Sequence, residues 1–232
     1  MRLLAWLLIT VLVVVVLAPR IRPLLPPGYD PLAPLAVTDP PTFITRFKLK
    51  GLAADNTACL AALERASAAG HISFIALKDT TGACPLLSPV RVQRFGPVAL
   101  SSSFLASCPL ALSSAMFVAQ AASPLAGEML GSPLARIDHL GSYACRNIYH
   151  RAEGRLSEHA SADALDVAGF VLKNGRRIPV QQQWRRQDEA GGYLHEAFGR
   201  SCAFFGNSLG PEYNAAHANH FHFGMRGFGV CR

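Results

Sequence analysis

The chain begins with an uninterrupted apolar run, Leu3 to Ala18, which contains no charged residue and is flanked by arginines. As a helix, its 16 positions would span roughly 24 Å, slightly less than a hydrocarbon core of about 30 Å. Residues 1–19 are therefore predicted to be a signal sequence or a short membrane anchor. We favour an uncleaved anchor, because Ala18 runs straight into Pro19 and leaves a poorly formed small-x-small cleavage site.

Residues 20–42 form a proline-rich linker. Proline fixes the backbone angle φ and removes a hydrogen-bond donor, so this segment is predicted to be an extended tether that lifts the following domain off the membrane. From about Phe43 the composition becomes that of a globular protein, and residues 43–232 are assigned to one domain.

Within this domain, helical and strand patterns are mixed without regular alternation, which predicts an α+β fold. We expect a single domain with a small antiparallel sheet flanked by helices, in addition to the N-terminal transmembrane or signal helix. The predicted elements are helices at 56–69 and 108–122, paired strands at 90–100, strands at 134–146, 165–172 and 177–180, a tight turn at Asn174-Gly175, a helical region at 181–205 interrupted at Gly191-Gly192, and a closing strand that carries His220 and His222.

Composition and charge narrow the range of partners. Half of the 232 residues are hydrophobic, enough for a substantial core, and the formal net charge of +7 is spread along the chain. Such a balance suits an anionic polymer or surface. No zinc-finger, helix-turn-helix or RNA-recognition pattern is evident, so nucleic acid is not expected as a partner.

The six cysteines are widely spaced and include no CxxC pair, which favours disulfides in an oxidising compartment over a thiolate metal site. The alternative is a set of buried free thiols. If disulfides form, neighbour pairing gives the shortest loops: Cys59 with Cys84, Cys108 with Cys145, and Cys202 with Cys231.

Imidazoles and a carboxylate recur at spacings that suit a divalent metal. His220 and His222, at i and i+2 of a predicted strand, point to one face, while the intervening phenylalanine points to the other. Catalytic zinc usually takes three protein ligands and leaves a fourth position for water, whose pKa falls towards about 7. His159, Asp166 and His222 would supply those ligands on the predicted sheet. His220 or His217 could then accept the proton of the water.

Other interpretations of the polar residues remain open. Asp163 competes with Asp166 as a ligand, although we expect it to be solvated. His71, His139, His150 and His195, each taken alone, are expected to be structural. No G-x-S-x-G motif occurs, and disulfides would leave no thiol nucleophile. Paired carboxylates for glycoside cleavage stay possible among Asp138, Glu153, Glu158 and Asp163.

These segments resemble the bacterial extensin-like C-terminal domain family over about residues 59–231. The resemblance is carried by Gly141–Asn147, Arg155–Ala160, Ala164–Phe170 and Leu209–His217, followed by His220-Phe221-His222. The motif pair is also similar to a wider group of zinc peptidases, which includes D-Ala-D-Ala carboxypeptidases, lysostaphin-type endopeptidases and the Sonic hedgehog signalling domain.

The resemblance implies roles for individual residues. In those zinc proteins the first histidine, the aspartate and the second histidine of HxH bind the metal, which implies His159, Asp166 and His222 as ligands. The first histidine of HxH assists catalysis, which implies a catalytic His220.

Three further residues are implied by similarity to particular relatives. His217 is similar to an additional catalytic histidine of penicillin-insensitive murein endopeptidases. Arg146 and Tyr143 lie where related peptidases carry an arginine after a strand, which implies a role in binding substrate. The chain departs from many relatives at Asn219, where they have aspartate, and at Phe223-Gly224, where they have an acidic residue.

The resemblance implies a zinc-dependent peptidase that acts on peptidoglycan stem peptides or their cross-links. The enzyme would be anchored in the inner membrane with its domain in the periplasm, or secreted to the periplasm if the signal is cleaved. The alternative is a non-catalytic cell-wall-binding or scaffold protein that retains a structural zinc site, as the hedgehog analogy illustrates.

Overall fold

The computed structural model describes residues 2–227 and 229–232 and shows the predicted α+β class. The helices are α1 Arg2–Ile21, α2 Phe43–Leu52, α3 Asn56–Ala68, α4 Cys108–Phe117, α5 Ser123–Leu130, α6 Val180–Gln183 and α7 Glu189–Ser201. The strands are β1 Ser73–Ala76, β2 Val90–Phe95, β3 Val98–Ala106, β4 Leu134–Gly141, β5 Ala164–Leu172, β6 Arg177–Pro179, β7 Asn207–Leu209 and β8 Phe221–Gly224.

Within the described residues, the eight strands form one sheet in the order β1-β2-β3-β4-β5-β8-β7, with β6 beside β5. The prediction of a small antiparallel sheet was wrong, because β3 and β4 pair in parallel while the other pairs are antiparallel. The helical segment between β3 and β4 provides the crossover that a parallel pair requires. β7 has three residues, too few to produce a periodic signal in the sequence.

The crossover between β3 and β4 forms the centre of the hydrophobic core. All ten residues of α4 are buried, and the Ser107 side chain caps the helix by accepting a hydrogen bond from the backbone N–H of Leu110. A π-helical turn, Val118–Ala122, joins α4 to α5. The helical stretch 108–130 is long and apolar enough to span a membrane by length and composition, but 72% of an 18-residue window within it is buried inside the protein.

The proline-rich linker differs from the extended tether that its composition predicts. Leu35 and Val37 are buried in the domain core. The Gln120 side-chain amide donates hydrogen bonds to the carbonyls of Val37 and Asp39, so backbone acceptors of the linker are satisfied by the domain. The second half of the linker therefore packs on the domain. The predicted anchor or signal, residues 1–19, corresponds to α1 except for Met1, which lies outside the described residues. Its insertion into a membrane stays a prediction.

The interruption predicted at Gly191-Gly192 was wrong, since α7 runs through both glycines and the break lies at residues 184–188. Asp188 caps α7 by accepting a hydrogen bond from the Gly191 N–H. A Cβ atom at Gly191 would lie 1.9 Å from the carbonyl oxygen of Arg186. The glycine is therefore required for the close approach of the preceding loop, not for a break in the helix.

Three disulfides account for all six cysteines, as predicted, but neighbour pairing was wrong for two of them. The pairs are Cys59–Cys108, Cys84–Cys145 and Cys202–Cys231. Loop length is a weak criterion for predicting which cysteines pair, because doubling the number of residues in a loop raises the free energy of closing it by only about 0.6 kcal/mol. The packing of α3 against α4 brings Cys59 to Cys108 instead.

Candidate metal centre

Two neighbouring strands set the position of the candidate ligands. β5 and β8 pair antiparallel, and their register places Asp166 directly opposite His222. Because side chains alternate along a strand, Phe221 and Phe223 point to the other face, where both are buried in the core. The expected core face of β8 is confirmed, as is the position of His222 on the opposite face, but the strand begins at Phe221 and His220 lies just before it.

A short 3₁₀ turn, Glu158–Ser161, brings the third residue to this pair. The Ser157 side chain caps the turn by accepting a hydrogen bond from the His159 backbone N–H. Ala162 follows in the left-handed region, with φ of 53°, and redirects the chain into β5. The Nδ1 atom of His159 lies 3.0 Å from the carbonyl oxygen of Ser142, which leaves Nε2 facing Asp166.

The donor atoms of His159, Asp166 and His222 converge on one point. His159 Nε2 lies 3.2 Å from Asp166 Oδ2, and His222 Nδ1 lies 3.0 Å from Asp166 Oδ1. The three donor atoms lie within 4.8 Å of one another. Two ligand atoms at about 2.1 Å from a tetrahedral ion would be about 3.4 Å apart, close to the two distances to Asp166, and two imidazoles with a carboxylate are a donor set that zinc accepts.

Glu158, which the spacing of the motifs does not mark as part of this site, also contacts the cluster. Its Oε2 atom lies 3.3 Å from His222 Nε2, the ring nitrogen that does not face Asp166. The carboxylate also accepts hydrogen bonds from the Asn207 side-chain amide and, at 2.7 Å, from the Arg226 backbone N–H. Glu158 therefore holds the ring of His222 in its orientation, as carboxylates do for metal-binding histidines.

The charges of the cluster are coupled. Burial alone would lower the pKa of His222, but its hydrogen bonds to Asp166 and Glu158 outweigh this cost and raise the pKa to about 9. Burial also opposes ionisation of the two carboxyl groups. The hydrogen bonds from the histidines nevertheless hold the pKa of Asp166 far below its usual value, and that of Glu158 is also lowered. A cation that binds to His222 must therefore displace a proton from its ring.

His220 and His217 lie beside the cluster of His159, Asp166 and His222. His220 Nε2 is 3.5 Å from Asp166 Oδ1, and its Nδ1 is 2.8 Å from the side-chain oxygen of Asn219. His217 Nδ1 is 2.8 Å from the side-chain oxygen of Asn214. Burial lowers the pKa of both histidines, that of His217 to about 4. Each is therefore a neutral imidazole at pH 7.

The departure at Asn219 has a structural consequence. Its amide oxygen accepts a hydrogen bond from Nδ1 of His220 in the tautomer that this geometry favours, so the Nε2 atom keeps its lone pair. Asn219 thus supplies an uncharged acceptor to the ring of His220.

The cluster opens into a cleft of about 250 Å³. Arg146 lines the cleft together with His217 and His220, as a substrate-binding role would require. Tyr143 does not line it, and its hydroxyl donates a hydrogen bond to the carbonyl of Cys84. The remaining residues of the wall include Arg155, Arg226, Tyr149 and Tyr213.

The alternative residues lie elsewhere or have structural partners. Asp163 is not part of the donor set. His139 and His195 each place Nε2 within hydrogen-bonding distance of a backbone carbonyl, of Ser102 and Trp184 respectively. Asp138 forms ion pairs with two arginines of the sheet, Arg136 and Arg177. Of the four carboxylates considered for glycoside cleavage, Glu158 alone lines the cleft.

Replacing Glu158 with glutamine is expected to weaken zinc binding by about 10- to 100-fold, since the variant keeps the size of the side chain but loses the charge that supports His222. Glu153→Gln, which changes an exposed glutamate of the preceding loop, is the matched control and should bind zinc as the wild type does. Competition with a chromogenic chelator measures both affinities. Equal affinities for the two variants would show that Glu158 does not support the metal ligand.

Comparison with known families gives one match. A family model described as "Extensin-like protein C-terminus" matches residues 57–232, which include every residue of the cluster. No curated protein and no solved structure matches the chain.

Proposed function

We propose that the chain, which belongs to the family of extensin-like protein C-termini, is a zinc-dependent peptidoglycan peptidase. It would hydrolyse amide bonds of stem peptides or of their cross-links. One observation carries the proposal: His159, Asp166 and His222 present three donor atoms to one point at the wall of a solvent-accessible cleft, with two neutral histidines beside them.

His159, through Nε2, and His222, through Nδ1, would hold the zinc together with a carboxylate oxygen of Asp166. When bound, zinc lowers the pKa of water and polarises a carbonyl group, which is the chemistry that amide hydrolysis requires. Two neutral imidazoles and one carboxylate leave such a site a net positive charge, and this favours both effects.

Side chains of the protein would accept the proton of the water and bind the substrate. His220 accepts a proton at Nε2, because Nδ1 is occupied by Asn219 and burial keeps the ring neutral. His217 supplies a second neutral ring that faces the same cleft. The guanidinium group of Arg146, at the wall of the cleft, suits a carboxylate of the stem peptide.

Charge and disulfides support the proposed location. The net charge of +7 favours encounter with an anionic cell wall, and three disulfides suit the oxidising periplasm. α1 would anchor the protein in the inner membrane, or would be removed if it is a cleaved signal.

Digestion of purified muropeptides tests the proposal. The zinc-loaded full-length protein in detergent should release shortened or uncross-linked peptides, detected by mass spectrometry. Removal of the metal with a chelator should stop the reaction, and added zinc should restore it. Zinc bound at one equivalent with no product from monomeric or cross-linked muropeptides would instead support the wall-binding scaffold.

A further inference from the structure

α2 exposes two large aromatic side chains to solvent. Phe43 and Phe47, one helical turn apart, are 70% and 71% exposed, while Thr45 and Leu49 on the opposite side are buried. Residues at i and i+4 lie next to each other on a helix, so the two rings form one stripe. Adjacent exposed aromatics of this size mark a surface that meets a partner.

The charges around the stripe indicate the kind of partner. Arg46 and Lys50 lie on the exposed side of α2 and Lys48 is partly exposed, whereas the helix contains no acidic residue. Aromatic rings flanked by cations are typical of helices that lie in the interface of an anionic membrane. There the rings enter the headgroup region, while lysine and arginine meet lipid phosphates.

The folded linker holds this helix close to the end of α1. The Thr42 hydroxyl, at the N-cap of α2, donates a hydrogen bond to the carbonyl of Gly28, and the ring of Tyr29 lies 6.1 Å from that of Phe43. Only residues 22–27 separate α1 from Gly28. At a maximum of about 3.4 Å per residue, Gly28 lies within roughly 24 Å of the end of α1.

We propose that the Phe43–Phe47 face of α2 docks on the anionic phospholipid surface of the membrane that holds α1. This inference rests on the membrane anchoring included in the proposed function and is independent of the zinc chemistry. Docking would hold the domain against the membrane, whereas an extended tether would let it move freely above it.

Tryptophan fluorescence in vesicles tests the docking. The full-length Phe47→Trp protein, made in a Trp6→Phe background, is reconstituted into vesicles of phosphatidylglycerol and phosphatidylcholine that contain brominated lipid. The remaining native tryptophan, Trp184, is 5% exposed and contributes a constant signal. Leu87→Trp in the same background is the matched control, because Leu87 is 68% exposed in the loop that carries Cys84.

We expect brominated lipid to quench the tryptophan at position 47 at least about twofold more than the tryptophan at position 87. Adding Lys48→Glu and Lys50→Glu should remove roughly half or more of that difference, because the phosphates would then face acidic groups. In a parallel experiment, the quenching of Trp6 in a protein that keeps this residue reports whether α1 is inserted in the membrane. Quenching at position 6 with none at position 47 would overturn the docking and leave the anchor in place. No quenching at position 6 would overturn both.

Discussion

Replacing His159 or Asp166 with alanine is expected to abolish tight zinc binding, whereas Asp163→Ala is expected to retain it. Structural zinc sites with four protein ligands have apparent binding free energies of about 10–16 kcal/mol, or about 2.5–4 kcal/mol per ligand. Loss of one ligand should therefore weaken binding by roughly two to three orders of magnitude. Metal content after dialysis, measured by mass spectrometry, decides the result.

The Asp163 variant is the matched control, since it removes a carboxylate three residues before Asp166 that is not part of the donor set. Asp166→Asn provides a second variant of the ligand that preserves side-chain volume and limits unfolding. Circular dichroism establishes that each variant is folded. Zinc retained by folded His159→Ala and Asp166→Asn proteins, or lost from Asp163→Ala, would contradict the assigned ligands.

The second large effect is expected for His220→Ala, which should keep its zinc but lose about 10²- to 10⁴-fold in the rate of muropeptide hydrolysis. The structure places His220 Nε2 3.5 Å from Asp166 and outside the cluster of three donors, so its removal leaves the metal ligands intact. The loss corresponds to the usual contribution of a positioned general acid or base. Initial rates and zinc content are measured on the same protein preparations.

The matched control for this experiment is His195→Ala, because His195 lies on α7 against Trp184 and does not line the cleft. That variant should hydrolyse muropeptides at close to the wild-type rate. A His220→Ala protein with full activity would exclude His220 as the proton acceptor. Zinc retained in both wild type and variant with no product from either would favour a non-catalytic protein.

The parts of the site that follow strand periodicity could be predicted from the sequence. Side chains alternate along β8, which sends Phe221 and Phe223 into the core and leaves His222 on the face of Asp166. The α+β class and the helix at α3 follow from local patterns as well. These predictions needed no knowledge of distant contacts.

The role of Glu158 could not be predicted, because it depends on the geometry of a turn and on two distant segments. Glu158 and His159 are adjacent, and the turn directs one side chain to Asn207 and the other to Asp166. Only the pairing of β7 with β8 brings Asn207 to this place. No spacing within the motif encodes that contact.

The linker and the disulfides depend in the same way on tertiary packing. Proline content indicates an extended chain, yet Leu35 and Val37 find apolar partners on the domain and fold the segment back. Cys59 pairs with Cys108 because α3 packs on α4, a contact that loop length does not reveal.

The most direct test is a crystal structure of the zinc-loaded protein, with anomalous diffraction recorded at the zinc edge. We expect one strong anomalous peak at about 2.0–2.2 Å from His159 Nε2, His222 Nδ1 and a carboxylate oxygen of Asp166, with a further position open to the cleft. A peak that is absent from these three residues, or that is enclosed by a fourth protein ligand, would contradict this expectation.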